Sequence, residues 1–316
     1  MKKMLSAPLA LFLTTTAVVA AVPPLVSALL ENMLCHDVSP EDVALFERYF
    51  GREMKPVEKS WDAVALTEYS SSWQRNKAGK MVLCESIVQL AEDGSMRRRL
   101  WCERFENSDG KRVNYQERVQ KAVAPFVFMS SLTKIVDFAD ETVYFEIVKY
   151  NPQSRRIEGV ENKSWKRSEL NATESLTDSD KGMFNEVFPS HKQRITPAAW
   201  DAEKHIVYSA RGWSRSGLYE LNGQLKWVAP DGSSCRIAHK ALERRGKFKT
   251  KWQPYARTLK TIKPYLFLEL HHGHELVVTL EDIDPQSGAW RGTRTRVYDF
   301  ASLVMMREST ITTQLP

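Results

Sequence analysis

The 316-residue sequence contains none of the short motifs that commonly identify an enzyme. It has no glycine-rich phosphate loop, no dinucleotide-binding fingerprint, no HExxH helix and no CxxC pair. A Ser-x-x-Lys match at Ser131–Lys134 lacks the companion motifs of the serine enzymes that use this pattern. These absences favour a protein that binds a partner over one that catalyses a reaction.

Long apolar runs are absent except at the start of the chain. Lys2 and Lys3 precede the apolar stretch Leu5–Val22, and Val19-Ala20-Ala21 offers a small-residue cleavage site. This pattern predicts a bacterial signal peptide over residues 1–22, and therefore a periplasmic or secreted protein. The alternative is an uncleaved segment that anchors the chain in a membrane.

Cysteine is scarce, with four residues in the chain. The strand-like runs Met81–Leu90 and Met96–Phe105 flank a turn that contains Gly94. With a three-residue loop, Cys84 lies directly opposite Cys102, and export would supply the oxidising setting for a disulfide between them. A two-residue loop would instead place the two side chains on opposite faces of the sheet.

Charge of one sign is in mild excess, with a net charge of +6 and an isoelectric point near 9.0. This excess favours an acidic partner and is too weak to indicate nucleic-acid binding. The densest basic segment runs from Lys240 to Lys263 and contains interleaved aromatic residues. It is a binding surface for an acidic protein or for an anionic lipid or glycan, or else a solvated loop. The candidate partner contacts are Arg244, Arg245, Lys247, Lys249 and Trp252.

Short apolar runs separated by turn signals predict a mainly β protein. We expect an antiparallel meander of hairpins that forms a sandwich, barrel or irregular propeller, with a two-lobed arrangement as an open alternative. Ile147–Arg156 and Thr279–Trp290 share a Pro-Gln-Ser turn, which a common hairpin turn explains as well as a duplication does. The sequence shows no fixed period that would indicate a repeat protein. The predicted segments are a linker and short helix over 23–62, a first β half over 63–160, a polar connecting loop over 161–192 and a second β half over 193–310.

The most strongly patterned stretch is Tyr265–Leu280, which predicts a β-hairpin that is apolar on both faces and central to the second half. With a two-residue turn at His272-Gly273, His271 faces His274. His271, His274 and Glu275 are therefore candidate ligands for zinc or copper, although local geometry supplies only two of the three ligands that a site needs.

Three functions follow from these patterns. The leading hypothesis is an exported, non-enzymatic binding protein without a cofactor that recognises another macromolecule, namely a protein partner in the periplasm, in the manner of an inhibitor or toxin-neutralising protein. The second is a metal-dependent hydrolase that uses His271 and His274. The third is a structural envelope protein tethered by an uncleaved N-terminus.

Overall fold

The fold consists of two curled antiparallel sheets, each forming a half-barrel, with eight strands in the first and nine in the second. The computed structural model describes residues 38–51, 55–75, 79–105, 112–132, 141–170, 173–188, 198–215, 218–245, 247–284 and 286–312. The predicted signal segment 1–22 lies outside this part of the chain. The mainly β prediction is confirmed. None of the described helices is long and apolar enough to cross a membrane.

The first half starts with helix α1 (Pro40–Phe50), and its strands pair in chain order as a meander. The strands are β1 (Ser60–Asp62), β2 (Thr67–Arg75), β3 (Met81–Leu90), β4 (Met96–Phe105), β5 (Arg112–Ala124), β6 (Val127–Leu132), β7 (Thr142–Asn151) and β8 (Arg156–Lys166).

The second half has a similar order, with two helices followed by a meander. Its elements are α2 (Arg167–Leu170), α3 (Asp178–Val187), β9 (Ala199–Asp201), β10 (Ile206–Arg215), β11 (Leu218–Val228), β12 (Cys235–Arg245), β13 (Lys247–Lys263), β14 (Leu266–His271), β15 (Glu275–Ile283), β16 (Trp290–Asp299) and β17 (Met305–Thr312).

We predicted the polar segment 161–192 to be a connecting loop or a short surface helix, and its described part contains the end of a strand and a helix. Residues 161–166 complete β8, and 178–187 form α3. Thr177 caps α3, because its side-chain hydroxyl accepts from the Asp180 amide and the Asp180 carboxylate accepts from the Thr177 amide. Phe184 anchors this helix to the sheet and is fully buried, and Met183 and Val187 pack beside it. These apolar residues are confined to the second half of the helix, so the periodic signal was too weak to recognise.

Helices α1 and α3 are held to their sheets in the same way. Each begins with a capping box, and the third residue of each helix is a buried aspartate. Each aspartate forms an ion pair with an arginine at the same position of its own sheet, and each helix packs two phenylalanines against that sheet. The corresponding residues are Asp42 and Asp180, Arg98 and Arg236, Phe46 and Phe184, and Phe50 and Phe188.

The turns of the two halves also repeat each other. Gly94 and Gly232 both adopt positive φ, 70° and 68°. A Cβ on Gly94 would lie 2.5 Å from the backbone nitrogen of Phe126, and one on Gly232 would lie 2.7 Å from that of Tyr265. The chain is thus two repeats of one fold, a relation that the sequence left open. The spacing between equivalent positions changes from 138 residues for Gly94 and Gly232 to 133 for Val143 and Leu276, which conceals the relation in the sequence.

The two repeats share one hydrophobic core. Equivalent positions of both halves contribute to it, for example Val143 with Leu276 and Phe145 with Val278. A core in which both sides supply the same positions resembles the self-complementary interface of a symmetric dimer. One face of β14, with Leu266, Leu268 and Leu270, lies in this core. The predicted central position of the Tyr265–Leu280 hairpin is therefore confirmed.

The predicted register of that hairpin is wrong by one residue. His271 pairs with Glu275, not with His274. His272 and Gly273 are left-handed as expected, with φ of 50° and 73°. His274, however, stays in the loop, because its amide donates to the His271 carbonyl at 3.1 Å and its carbonyl accepts from the Phe300 amide at 2.8 Å.

The predicted Cys84–Cys102 disulfide fails for a related reason. Cys84 pairs with Glu103 and Cys102 pairs with Glu85, so the two thiols lie on opposite faces of the sheet and no disulfide joins them. Gly94 is left-handed as predicted, but the Ala91 amide bonds to the Met96 carbonyl. The loop is one residue longer than assumed, and a one-residue shift moves a side chain to the other face.

Candidate functional site

A cavity of about 410 Å³ lies inside the second half-barrel. Its walls come from strands β10–β12 and β14–β17. This volume falls within the range of small-molecule binding sites, which is about 300–1,000 Å³. We call this cavity the lumen of the second repeat.

Strand alternation explains how one hairpin serves both the core and the lumen. Successive side chains of a strand point to opposite faces. On β14, Leu266, Leu268 and Leu270 enter the shared core, while Glu269 and His271 line the lumen. The hairpin was predicted to be apolar on both faces, but its second face combines the buried Phe267 with polar residues that border a cavity.

A buried ion pair lies at the lumen wall. The Lys226 ammonium contacts Glu281 Oε1 at 2.5 Å, and Glu281 Oε2 accepts from Trp290 Nε1 at 3.1 Å and Thr293 Oγ1 at 2.6 Å. Glu281 is 1% exposed. Burial alone lowers the pKa of Lys226, but the Glu281 carboxylate outweighs this effect and the pKa is raised. Lys226 therefore stays charged and is paired with Glu281.

A second buried carboxylate, Glu269, is held by two cationic or polar groups. Its Oε2 lies 2.9 Å from His271 Nε2 and 3.6 Å from Arg257 Nη1. Burial raises the pKa of Glu269, but the His271 hydrogen bond and the charge of Arg257 overcome it and lower the pKa. Glu269 therefore remains ionised and fixes the orientation of the His271 ring.

His239 also borders the lumen and is kept neutral. Burial lowers its pKa to about 4, and the surrounding Glu269, Arg257 and His271 do not restore it. At neutral pH its ring carries one N–H donor and one acceptor nitrogen. The lumen wall thus gains a polar group without a net charge.

The rim of the lumen carries a third compensated pair. Arg307 holds Glu275 with two bonds, Nη1 to Oε1 at 3.0 Å and Nη2 to Oε2 at 2.8 Å. The Arg307 hydrogen bond lowers the pKa of Glu275. Each charged side chain of the lumen wall, namely Lys226, Glu269 and Arg307, therefore has a partner of opposite charge.

The metal ligands predicted from sequence are not brought together. His271 contacts Glu269, Glu275 contacts Arg307, and the His274 Nδ1 lies 2.9 Å from the His272 carbonyl. Among the described residues, no three His, Cys, Asp or Glu side chains are grouped closely enough to hold a metal ion. A metal at His271, His274 and Glu275 stays a prediction that metal analysis of the purified protein can test.

Six neutral polar side chains complete the lumen wall. They carry hydroxyl or amide groups, and within the described part of the chain none of them has a hydrogen-bond partner. They are Ser209, Asn222, Gln224, Thr279, Thr295 and Ser309. Sequence reasoning missed this set, although polar residues at every second position of otherwise apolar strands were a usable signal.

The predicted basic contact residues lie on the hairpin formed by β12 and β13. Arg245 pairs with Lys247, Arg244 with Phe248 and Glu243 with Lys249. Trp252 follows on β13 and pairs with Lys240. Lys240 itself is 4% exposed, and its ammonium contacts Asn185 and the Phe188 carbonyl, so this member of the basic segment holds α3 to the sheet. The role of the other residues in partner binding stays a prediction.

The first repeat has different residues at several of the equivalent lumen positions. The paired glycine turns and strand registers align Trp101 with His239 and Tyr144 with Val277. The same alignment places Val88 and Val148 where the second repeat has Lys226 and Glu281. Two larger aromatic side chains thus occupy positions at which the second repeat has smaller ones.

The comparisons with known proteins add no relative. No protein-family model matches the chain, and a search of curated proteins finds no similar sequence.

Proposed function

We propose that this chain is an exported, non-enzymatic binding protein and that the lumen of the second repeat is its binding site. The carrying observation is the lumen wall, in which every charged group is compensated and six polar groups have no partner among the described residues. Polar groups that face a cavity are hydrated, and a ligand that replaces their water molecules gains specificity from them.

The comparison between the repeats supports the same proposal. Both repeats have the same helix anchors and turns, although only the second has His239 and Val277 at these positions. The shared fold therefore requires neither residue. The first repeat has Trp101 and Tyr144 at these positions. The smaller residues of the second repeat keep its lumen open, as a binding site requires.

Export is part of the proposal and rests on the N-terminal pattern of Lys2, Lys3 and the apolar stretch Leu5–Val22. Mass spectrometry of the protein from its native source tests this. A mature N-terminus near Val22 supports a cleaved signal peptide, and an intact Met1 supports the tethered alternative.

An immobilised-protein capture experiment tests the site. The double variant His239→Trp, Val277→Tyr carries the first repeat's side chains and fills the lumen. A quadruple alanine variant of Arg244, Arg245, Lys247 and Trp252 removes the predicted protein-binding surface. We expect the first variant to lose what the wild type captures from the native envelope and the second to retain it. The opposite result assigns binding to the basic hairpin and contradicts the lumen proposal.

A further inference from the structure

We infer that the ligand of the lumen is an uncharged, polyhydroxylated compound of the saccharide class. This inference rests on the proposed function, because it specifies the ligand of the same site. The chemistry of the wall decides between ligand classes, and each class can be compared with the side chains that would meet it.

Charged ligands are disfavoured by the existing ion pairs. An anion would compete with Glu281 for Lys226 or with Glu275 for Arg307. A cation would compete with Arg257 and His271 for Glu269. Breaking the buried Lys226–Glu281 or Arg257–Glu269 pair leaves the other charge uncompensated, which is strongly unfavourable. Arg307 is 56% exposed, so competition for it costs less.

An acyl chain is disfavoured by the polar wall. Placing hydrocarbon against Asn222, Gln224 and Thr279 would remove water from these groups without replacing its hydrogen bonds. The apolar part of the wall consists of scattered β-branched residues, such as Val207, Ile237 and Val297, on several strands. These residues can contact the C–H surface of a sugar ring between its hydroxyl groups.

Ligand hydroxyl groups best match the six lumen side chains that have no hydrogen-bond partner among the described residues. Four of the six are themselves hydroxyls, Ser209, Thr279, Thr295 and Ser309, and each combines a donor with acceptor sites. Asn222 and Gln224 also present both functions. A ligand hydroxyl donates and accepts at one atom, so it can pair with any of these groups without a fixed plane. The neutral ring of His239 has the same dual character.

Ligand-observed NMR by saturation transfer tests the inference at millimolar concentrations. The neutral probes are maltose, cellobiose and trehalose, with maltohexaose to distinguish a free sugar from the end of a longer chain. The matched comparators are glucose 6-phosphate, glucosamine, decanoate and an uncharged blocked dipeptide. We expect transfer to at least one neutral saccharide and weaker or no transfer to every comparator.

Three variants assign the signal. Thr279→Val, Thr295→Val removes two hydroxyls and keeps the side-chain shape, and we expect about tenfold weaker binding. Thr310→Val removes an exposed hydroxyl on the opposite face of β17 and should bind like the wild type. The filled variant His239→Trp, Val277→Tyr should not bind, and circular dichroism checks that all variants are folded.

The outcomes separate the two proposals. Absence of transfer to every neutral saccharide, or stronger transfer to a comparator, overturns the saccharide inference. A comparator that binds the wild type but not the filled variant overturns the ligand class and leaves the lumen as the binding site. A saccharide bound equally by the wild type and the filled variant contradicts the lumen itself.

Discussion

The two repeats share the residues that anchor their helices and turns, and they differ in several side chains at the lumen positions. Helix caps, buried phenylalanines, the Asp42–Arg98 and Asp180–Arg236 pairs and the left-handed glycine turns are the same in both. Several lumen positions differ, since Trp101 and Tyr144 correspond to His239 and Val277. Residues that hold the fold are thus separated from residues available for binding. The difference between two copies identifies the second set without any relative of the chain.

The largest expected effect concerns the helix anchors. Phe46→Ala and Phe184→Ala each remove a fully buried ring between helix and sheet. We expect each to lower the free energy of unfolding by about 3–5 kcal/mol, measured by urea denaturation. Val64→Ala, at an 88% exposed position, is the control and should change stability little. A large loss in one repeat alone would break their equivalence.

The glycine turns come next. Alanine at Gly94 or Gly232 meets backbone at 2.5–2.7 Å in addition to adopting a left-handed conformation. The left-handed backbone alone costs about 1–2 kcal/mol, and the overlap adds to it. Gly273→Ala, with positive φ but open space around its Cβ, carries only the first cost. Thermal unfolding should therefore rank Gly94→Ala and Gly232→Ala together, well below the Gly273→Ala control. Equal losses at all three positions would contradict the close approach of these turns to Phe126 and Tyr265.

The stability of the fold should respond to acid between pH 6.5 and 4 through His239 of the second repeat. The pKa of His239 is lowered to about 4 in the folded state, against about 6.5 in an unfolded chain. Above pH 6.5 both states are neutral at this residue and no stability depends on it. As pH falls from 6.5 towards 4, the unfolded state binds a proton that the folded state excludes, so stability decreases by about 1.4 kcal/mol per pH unit from this group.

His239→Gln removes that component and should flatten the stability–pH curve between pH 6.5 and 4. The equivalent Trp101 of the first repeat has no titrating group, so it adds no matching component. An NMR titration of the His239 ring gives an independent reading. Titration near pH 6.5 would show that the ring is not enclosed by Glu269, Arg257 and His271 as described.

The smallest effect concerns thiol reactivity. Burial raises the pKa of both Cys84 in the first repeat and Cys235 in the second. A raised pKa leaves little thiolate, which is the reactive form. In a Cys35→Ser variant we expect no rapid labelling of the native protein and labelling of three thiols after denaturation. A peptide that links Cys84 to Cys102 would show that the register of β3 and β4 is the one predicted from sequence.

The sequence predicted element types well and registers poorly. Alternation of apolar residues indicated the strands, and Gly94 and Gly273 were correctly expected to be left-handed. Loop length, however, was wrong by one residue at both hairpins. One residue decides which face a side chain occupies, so the Cys84–Cys102 bridge and the His271–His274 contact both failed.

The candidate site could not be predicted from the sequence for a different reason. The residues of the lumen come from seven strands that are distant in sequence, so no local motif contains them. The sequence pattern pointed to the clustered histidines His271 and His274 as candidate ligands, whereas His239 and Gln224 lie in no recognisable motif. The repeat was also hidden, because the matching residues of helix cap, ion pair and turn are scattered along the chain. Their spacing of 138 residues, as between Gly94 and Gly232, changes to 133 residues at Val143 and Leu276.

Exchange of lumen residues between the repeats tests the central claim most directly. Native mass spectrometry of gently extracted protein should detect the ligand on the wild type and on the mirrored variant Trp101→His, Tyr144→Val. The account predicts that His239→Trp, Val277→Tyr carries no ligand mass while it remains folded. A filled variant that retains the ligand, or a mirrored variant that loses it, would contradict the assignment of binding to the second repeat.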